Sequence, residues 1–134
     1  KKSINITITL QKEPVITPDE VVLNPIYFDF DKWNIRPDAA AELDRLVAVM
    51  KKYPEMKISA ESHTDIRGPE SYNQILSQKR AESMRTYVIS KGIDANRITA
   101  DGKGETEPAI TCEESACTKE EHQLNRRCVF KIIK

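Results

Sequence analysis

Hydrophobic and polar residues alternate along several short segments, which is the pattern of a β-strand with one buried face. The predicted strands are 4–10, 26–30, 56–64, 97–100 and 125–134. Two longer segments instead carry apolar residues three and four positions apart, as in amphipathic helices. The first begins at Pro37 and ends before Pro54; the second covers about 71–91 and ends at Gly92. From residue 26 the order is β-α-β-α-β, a long loop, then β, which predicts an α+β fold with helices packed on one mixed sheet.

The first 24 residues have a different character. Residues 4–10 are either the last strand of a preceding domain or an edge strand of this one. The segment that follows contains Pro14, Pro18 and Pro25, and it is predicted to be an extended linker. The predicted division is therefore 1–24 as a strand with a lead-in linker, and 25–134 as the main domain.

Composition narrows the function classes. The chain has 134 residues with 39% apolar residues, 31% charged residues and a formal net charge of zero. Zero net charge argues against nucleic acid as a partner, since that partner favours a basic face. No apolar run approaches the roughly 20 residues of a membrane helix. The acidic loop over 105–122 is interpreted as a solvated surface.

One arginine lies on the apolar side of the second predicted helix. Leu76, Met84 and Val88 fall in the same helical row as Arg80. A buried guanidinium needs a partner, and Asp65 at the end of the preceding strand is the nearest candidate. Two interpretations follow: a structural Asp65–Arg80 salt bridge, or a carboxylate and a guanidinium that together bind a ligand carrying both an ammonium and a carboxylate group.

Four segments of the chain carry a family resemblance: "IYFDFDKWNIRPDAAAELDRL", "SHTDIRGPESYNQILSQKRAESMRTYVISKGIDANRI", "GKGETEP" and "NRRCVF". Over residues 25–134 the chain resembles the OmpA-like peptidoglycan-associating domain. The resemblance implies a β-α-β-α-β-β sandwich of helices on one sheet. It also implies a non-enzymatic role without a cofactor, at the periplasmic face of the outer membrane, in a parent protein attached to that membrane.

The resemblance also implies a ligand and a set of site residues. The ligand is the peptidoglycan stem peptide, bound non-covalently at its meso-diaminopimelate residue. Asp65 would bind the ammonium group and Arg80 the adjacent carboxylate. The further candidates are Asn34, Asn73 and, of the two arginines that begin the last strand, Arg127.

Some residues depart from the family pattern. Ser62 replaces a usual glycine, Lys103 replaces a usual aromatic residue, and Cys128 stands where cysteine is unusual. Some members of the family carry a cysteine pair in the long loop, which implies a Cys112–Cys117 disulfide here. Strand alternation predicts that Cys128 points into the core as a free thiol.

Two alternatives from other function classes remain open at this point. One is a hydrolase that uses His63 and Asp65, although no nucleophile with a base partner is apparent. The other is a structural zinc site, whose spacing is unlike that of common zinc fingers. Its four ligands would be Cys112, Cys117, His122 and Cys128.

Overall fold

The structure, a computed structural model, describes residues 13–107, 109, 111 and 117–134. The strands are β1 (Val15–Ile16), β2 (Glu20–Val22), β3 (Ile58–His63), β4 (Ile98–Gly104) and β5 (Cys128–Ile132). The helices are α1 (Pro37–Lys52), α2 (Glu70–Ser90) and α3 (Lys119–Asn125), with one 3-10 turn over Ala95–Arg97. Among these residues no helix has the length and apolar character needed to cross a membrane.

The five strands form one mixed sheet in the order β1-β2-β5-β3-β4. β3 pairs in parallel with β4, and α2 is the crossover between them. The other neighbours, β3 with β5, β5 with β2 and β2 with β1, are antiparallel. Three helices and a mixed five-stranded sheet in the described part of the chain confirm the predicted α+β fold.

The core forms where α1 and α2 pack on the sheet. Its fully buried members include Leu43, Leu46, Met50, Ile58, Met84, Val88 and Ile98. Each such side chain contributes roughly 1.5–3 kcal/mol through removal from water. Arg97 closes the end of α1, because its guanidinium donates to the carbonyl oxygens of Met50 (2.7 Å) and Tyr53 (2.9 Å). Met50 lies in the last turn of α1, where carbonyl oxygens lack a partner within the helix.

The predicted linker was wrong for the part that the structure describes. β1 and β2 lie in this segment, β2 pairs with β5, and Val21 is buried in the core. The sheet therefore extends N-terminal to the predicted boundary at residue 25. The predicted strand over 4–10 lies outside the described residues.

The predicted strand over 26–30 was also wrong, because no strand is assigned there. Ile26 and Phe28 nevertheless pack towards the core, which accounts for the alternation. β5 already has β2 on one edge and β3 on the other, so neither of its edges is open to this segment. The segment instead lies beside α2, where Arg80 contacts the ring of Phe28 and the carbonyl oxygen of Asp29.

Two C-terminal elements differ from the prediction. β4 continues to Gly104 rather than ending at residue 100, and part of the predicted loop and strand forms α3. Gly102 permits the close approach of α2 to β4, since a Cβ atom there would overlap the backbone of Ser77 and Gln78. Gln78 also accepts a hydrogen bond from the Gly102 N–H through its side-chain oxygen (2.8 Å).

Candidate functional site

A cavity of about 570 Å³ opens beside the end of β3. Its walls come from the end of β3 and the loop after it, the first half of α2, the segment 26–31 and the start of β5. Four of the five predicted ligand-binding residues line it: Asp65, Asn73, Arg80 and Arg127. Asn34 does not line it and is exposed.

The carboxylate of Asp65 is buried, with 5% of the residue exposed, and all of its described contacts are to arginine residues. Oδ1 accepts hydrogen bonds from the backbone N–H of Arg67 (2.9 Å) and from its Nε (3.2 Å). Oδ2 accepts from Nη2 of Arg67 and from Nη1 of Arg126, both at 2.7 Å. Burial raises the pKa of Asp65, but the hydrogen bonds from Arg67 and Arg126 outweigh it and hold the pKa at about 2. The group is therefore ionised at neutral pH.

Arg80 has different partners from those expected. Its Nε donates to the carbonyl oxygen of Lys32 (2.9 Å) and its Nη2 to that of Asp29 (3.2 Å). The guanidinium carbon lies 5.0 Å from the centre of the Phe28 ring, which is within cation–π range. The ion pairs found in the described residues join Asp65 to Arg67 and Arg126, so the hypothesis of a direct Asp65–Arg80 salt bridge was wrong.

Asn73 lines the cavity and also supports the loop that follows β3. It is buried near the start of α2, and its Nδ2 lies within hydrogen-bond distance of the carbonyl oxygens of Asp65 (3.3 Å) and Arg67 (3.0 Å). The same nitrogen donates to Oε1 of Glu105 (3.0 Å). The side chain thus fixes the loop that carries Asp65 and Arg67.

The two arginines at the start of β5 have different roles. Arg126 donates to Asp65, whereas Nη2 of Arg127 donates to the carbonyl oxygen of Glu107 (2.9 Å). Burial lowers the pKa of Arg127 against the opposing effect of nearby carboxylates. Both residues line the cavity, but Arg126 is the one in contact with the predicted ammonium-binding group.

Sequence reasoning missed Arg67 and underrated Arg126. Arg67 is not among the site residues predicted from the sequence, although an arginine two residues after an aspartate can fold back onto it in a tight turn. Phe30 was also missed: its side chain lines the cavity and is 94% exposed. Phe30 does not belong to a strand, so the alternation of apolar residues gives no sign of its role. Only the three-dimensional structure shows that it lies beside the cavity.

The hydrolase alternative finds no support in the geometry. His63 is buried, and its Nε2 lies 3.4 Å from Oε1 of Glu61, whereas the oxygens of Asp65 accept from arginines. Burial and the charge of Arg127 lower the pKa of His63, against the raising effect of Glu61. Within the described part of the chain, no hydrogen bond or ion pair joins His63 or Asp65 to a serine or cysteine nucleophile.

The cysteine predictions are tested only in part. Cys128 is a free thiol, and burial raises its pKa to about 12, so the thiol stays protonated and unreactive. Cys112 lies outside the described residues, so its pairing with Cys117 stays a prediction. No group of three or more potential metal ligands occurs among the described residues.

The fold and the cavity define a small α+β domain with a cavity lined by charged side chains. Residues 27–122 match the OmpA family, and the chain belongs to that family. It is 38% identical over 104 residues to a peptidoglycan-associated lipoprotein of Rhizobium meliloti, covering 78% of this chain and 57% of that protein. It is 36% identical over 124 residues to outer membrane protein A of Bordetella avium, covering 92% and 62% of the two chains.

A solved structure gives the same result for the fold. The crystal structure of the peptidoglycan-associated lipoprotein from Burkholderia pseudomallei superimposes with a TM-score of 0.71 at 28% identity. The match covers 81% of this chain and 89% of that one. The two curated relatives are longer, and this chain spans about three-fifths of their length.

Proposed function

We propose that this domain binds the stem peptide of peptidoglycan non-covalently at meso-diaminopimelate, and that it thereby attaches an envelope protein to the cell wall. One observation carries the proposal: a single cavity contains an ionised carboxylate and a guanidinium that do not neutralise each other. The names of the lipoprotein relatives, which describe association with peptidoglycan, support it.

The chemistry of the ligand matches this separation of charges. One end of diaminopimelate carries an ammonium and a carboxylate on the same carbon. Arg80 has five N–H donors, of which the two described bonds use two and also fix the orientation of its plane. The planar guanidinium matches the geometry of the ligand carboxylate, and Asp65 binds the ammonium group. Phe28 stacks on the guanidinium and shields one of its faces from water.

The proposed location is the periplasmic face of the outer membrane, as in proteins of this family that contact the cell wall. A Cys112–Cys117 disulfide suits that oxidising compartment and is part of the proposal. Cys128 is the free thiol among the described residues, which leaves the other two cysteines of the sequence for this bond.

The test is sedimentation with insoluble peptidoglycan. Asp65→Ala and Arg80→Ala should each reduce the bound fraction, because loss of one partner of a desolvated charge contact costs about 2–5 kcal/mol, roughly 30-fold or more in affinity. Arg85→Ala is the matched control. Arg85 lies on the same helix and also donates to two backbone carbonyls, at 2.6 and 2.8 Å, but it does not line the cavity. Wild-type binding by both site variants would refute the site.

A further inference from the structure

The acceptor capacity of Asp65 is already used in the absence of ligand. A carboxylate offers about four lone-pair sites. The four described hydrogen bonds, two to each oxygen, match that number: the backbone N–H, Nε and Nη2 of Arg67, and Nη1 of Arg126. An incoming ammonium group would therefore find no open position on the carboxylate.

We propose that Arg67 is an internal competitor for the ligand's ammonium group, and that its guanidinium must leave Asp65 before a ligand binds. The proposal rests on the proposed function and assigns a specificity-determining role to a residue outside the expected ligand set. Arg67 would lower the affinity for every cation at this position. Only a ligand whose carboxylate also binds Arg80 would offset the loss of the contact between Arg67 and Asp65.

The geometry identifies Arg67, rather than Arg126, as the residue that leaves. The guanidinium of Arg67 occupies one site on each oxygen of Asp65, whereas Arg126 occupies one site in total. The side chain of Arg67 is 48% exposed and that of Arg126 is 39% exposed. Rotation of the Arg67 side chain into water therefore frees both oxygens at once.

Hydrogen bonds hold the backbone of Arg67 in place, so the cavity keeps its shape when the side chain rotates. Asn73 donates to the carbonyl oxygen of Arg67 at 3.0 Å, and the backbone N–H of Arg67 donates to Asp65 at 2.9 Å. These bonds hold the loop while the side chain moves. The carboxylate would retain one backbone donor and Arg126, and it would exchange a guanidinium for an ammonium.

Arg67→Gln tests the competition directly. The probe is a soluble stem peptide containing diaminopimelate, titrated calorimetrically, beside the same peptide with the side-chain amine acetylated. Removal of the competitor should tighten binding of the free-amine peptide at least about fivefold, and the acetylated peptide should show no gain. Arg36→Gln is the matched control, because Arg36 makes the same two-point contact with Asp38 (3.1 and 3.1 Å) outside the cavity and its loss changes the net charge equally.

Arg67→Lys guards against a folding defect in the glutamine variant. Lysine keeps the charge but lacks the planar fork, so its affinity for the free-amine peptide should fall between those of wild type and Arg67→Gln. Unchanged or weaker binding by both variants, with wild-type binding intact, would overturn the competition and leave the proposed function standing. Failure of the wild-type protein to bind the free-amine peptide would overturn both.

Discussion

Asp65 contributes to the stability of the domain in a way that depends on pH. Its pKa falls from an ordinary value of 3.8 to about 2 in the folded protein. At about 1.4 kcal/mol per pKa unit, the ionised carboxylate stabilises the fold by about 2.5 kcal/mol. Because the folded-state pKa is the lower one, this stabilisation is fully present above pH 3.8 and is lost as the pH falls through 2.

The perturbation is Asp65→Asn, which retains the shape of the side chain and removes its charge. Urea unfolding of both proteins should be followed at pH 7, 3 and 2. Compared with its value at pH 7, the difference in free energy of unfolding between wild type and variant should be smaller by about 1 kcal/mol at pH 3 and by about 2 kcal/mol at pH 2. Carboxylates common to the two proteins cancel in this difference.

Asp101→Asn is the control for this series. Asp101 pairs with Lys103 at 2.9 Å, but its side chain is 46% exposed, and exposed pairs contribute at most about 1 kcal/mol. The difference in free energy of unfolding between wild type and Asp101→Asn should change little between pH 7 and pH 2. A wild-type advantage over Asp65→Asn that is equal at pH 7 and pH 2 would refute the reasoning, because the arginine contacts would then not stabilise the ionised form.

Three further predictions concern the ligand, the cysteines and the packing. A stem peptide with lysine in place of diaminopimelate should bind at least about tenfold more weakly in calorimetry, since Arg80 would face no carboxylate. Amidation of the diaminopimelate carboxyl group should weaken binding for the same reason. Equal affinities of the three peptides would contradict this prediction. Mass mapping of a non-reduced digest should find Cys112 joined to Cys117, and any linkage to Cys128 would be the contrary result. Gly102→Ala should lower the free energy of unfolding by about 1–3 kcal/mol through overlap with α2, and an unchanged urea midpoint would show that the helix can move away.

The long periodic segments could be predicted from sequence, and the short ones could not. α1 and α2 were predicted because many residues repeat the helical spacing. Pro37 also marks the start of α1, and Gly92 follows the end of α2. β1 and β2 have two and three residues, too few to show a period. Tertiary pairing creates these strands, since β2 pairs with β5 and β1 pairs with β2. The prolines that suggested a linker lie outside the paired positions.

The site was predictable as a set of residue types but not as a set of contacts. The apolar row on α2 correctly predicted that Arg80 needs a partner, and Asp65 was the nearest side-chain candidate in the sequence. The true partners are backbone carbonyls of Asp29 and Lys32, 51 and 48 residues away in the chain. Every residue has a carbonyl group, so no sequence pattern distinguishes those that a distant guanidinium will meet.

The separate partners of Asp65 and Arg80 explain how two opposite charges persist in one cavity. Without other partners they would attract each other and close the site, since Coulomb attraction strengthens as water is excluded. The domain prevents this by surrounding the carboxylate with Arg67 and Arg126 and by binding the guanidinium to main-chain oxygens. The carbonyl contacts can remain when a ligand binds, because they leave donors of Arg80 available. The contacts of Asp65 cannot all remain, because they use its full acceptor capacity. Under the proposed function, the energetic cost of binding would therefore lie at Asp65, where the ammonium group would bind, whereas Arg80 would already be oriented for the ligand carboxylate.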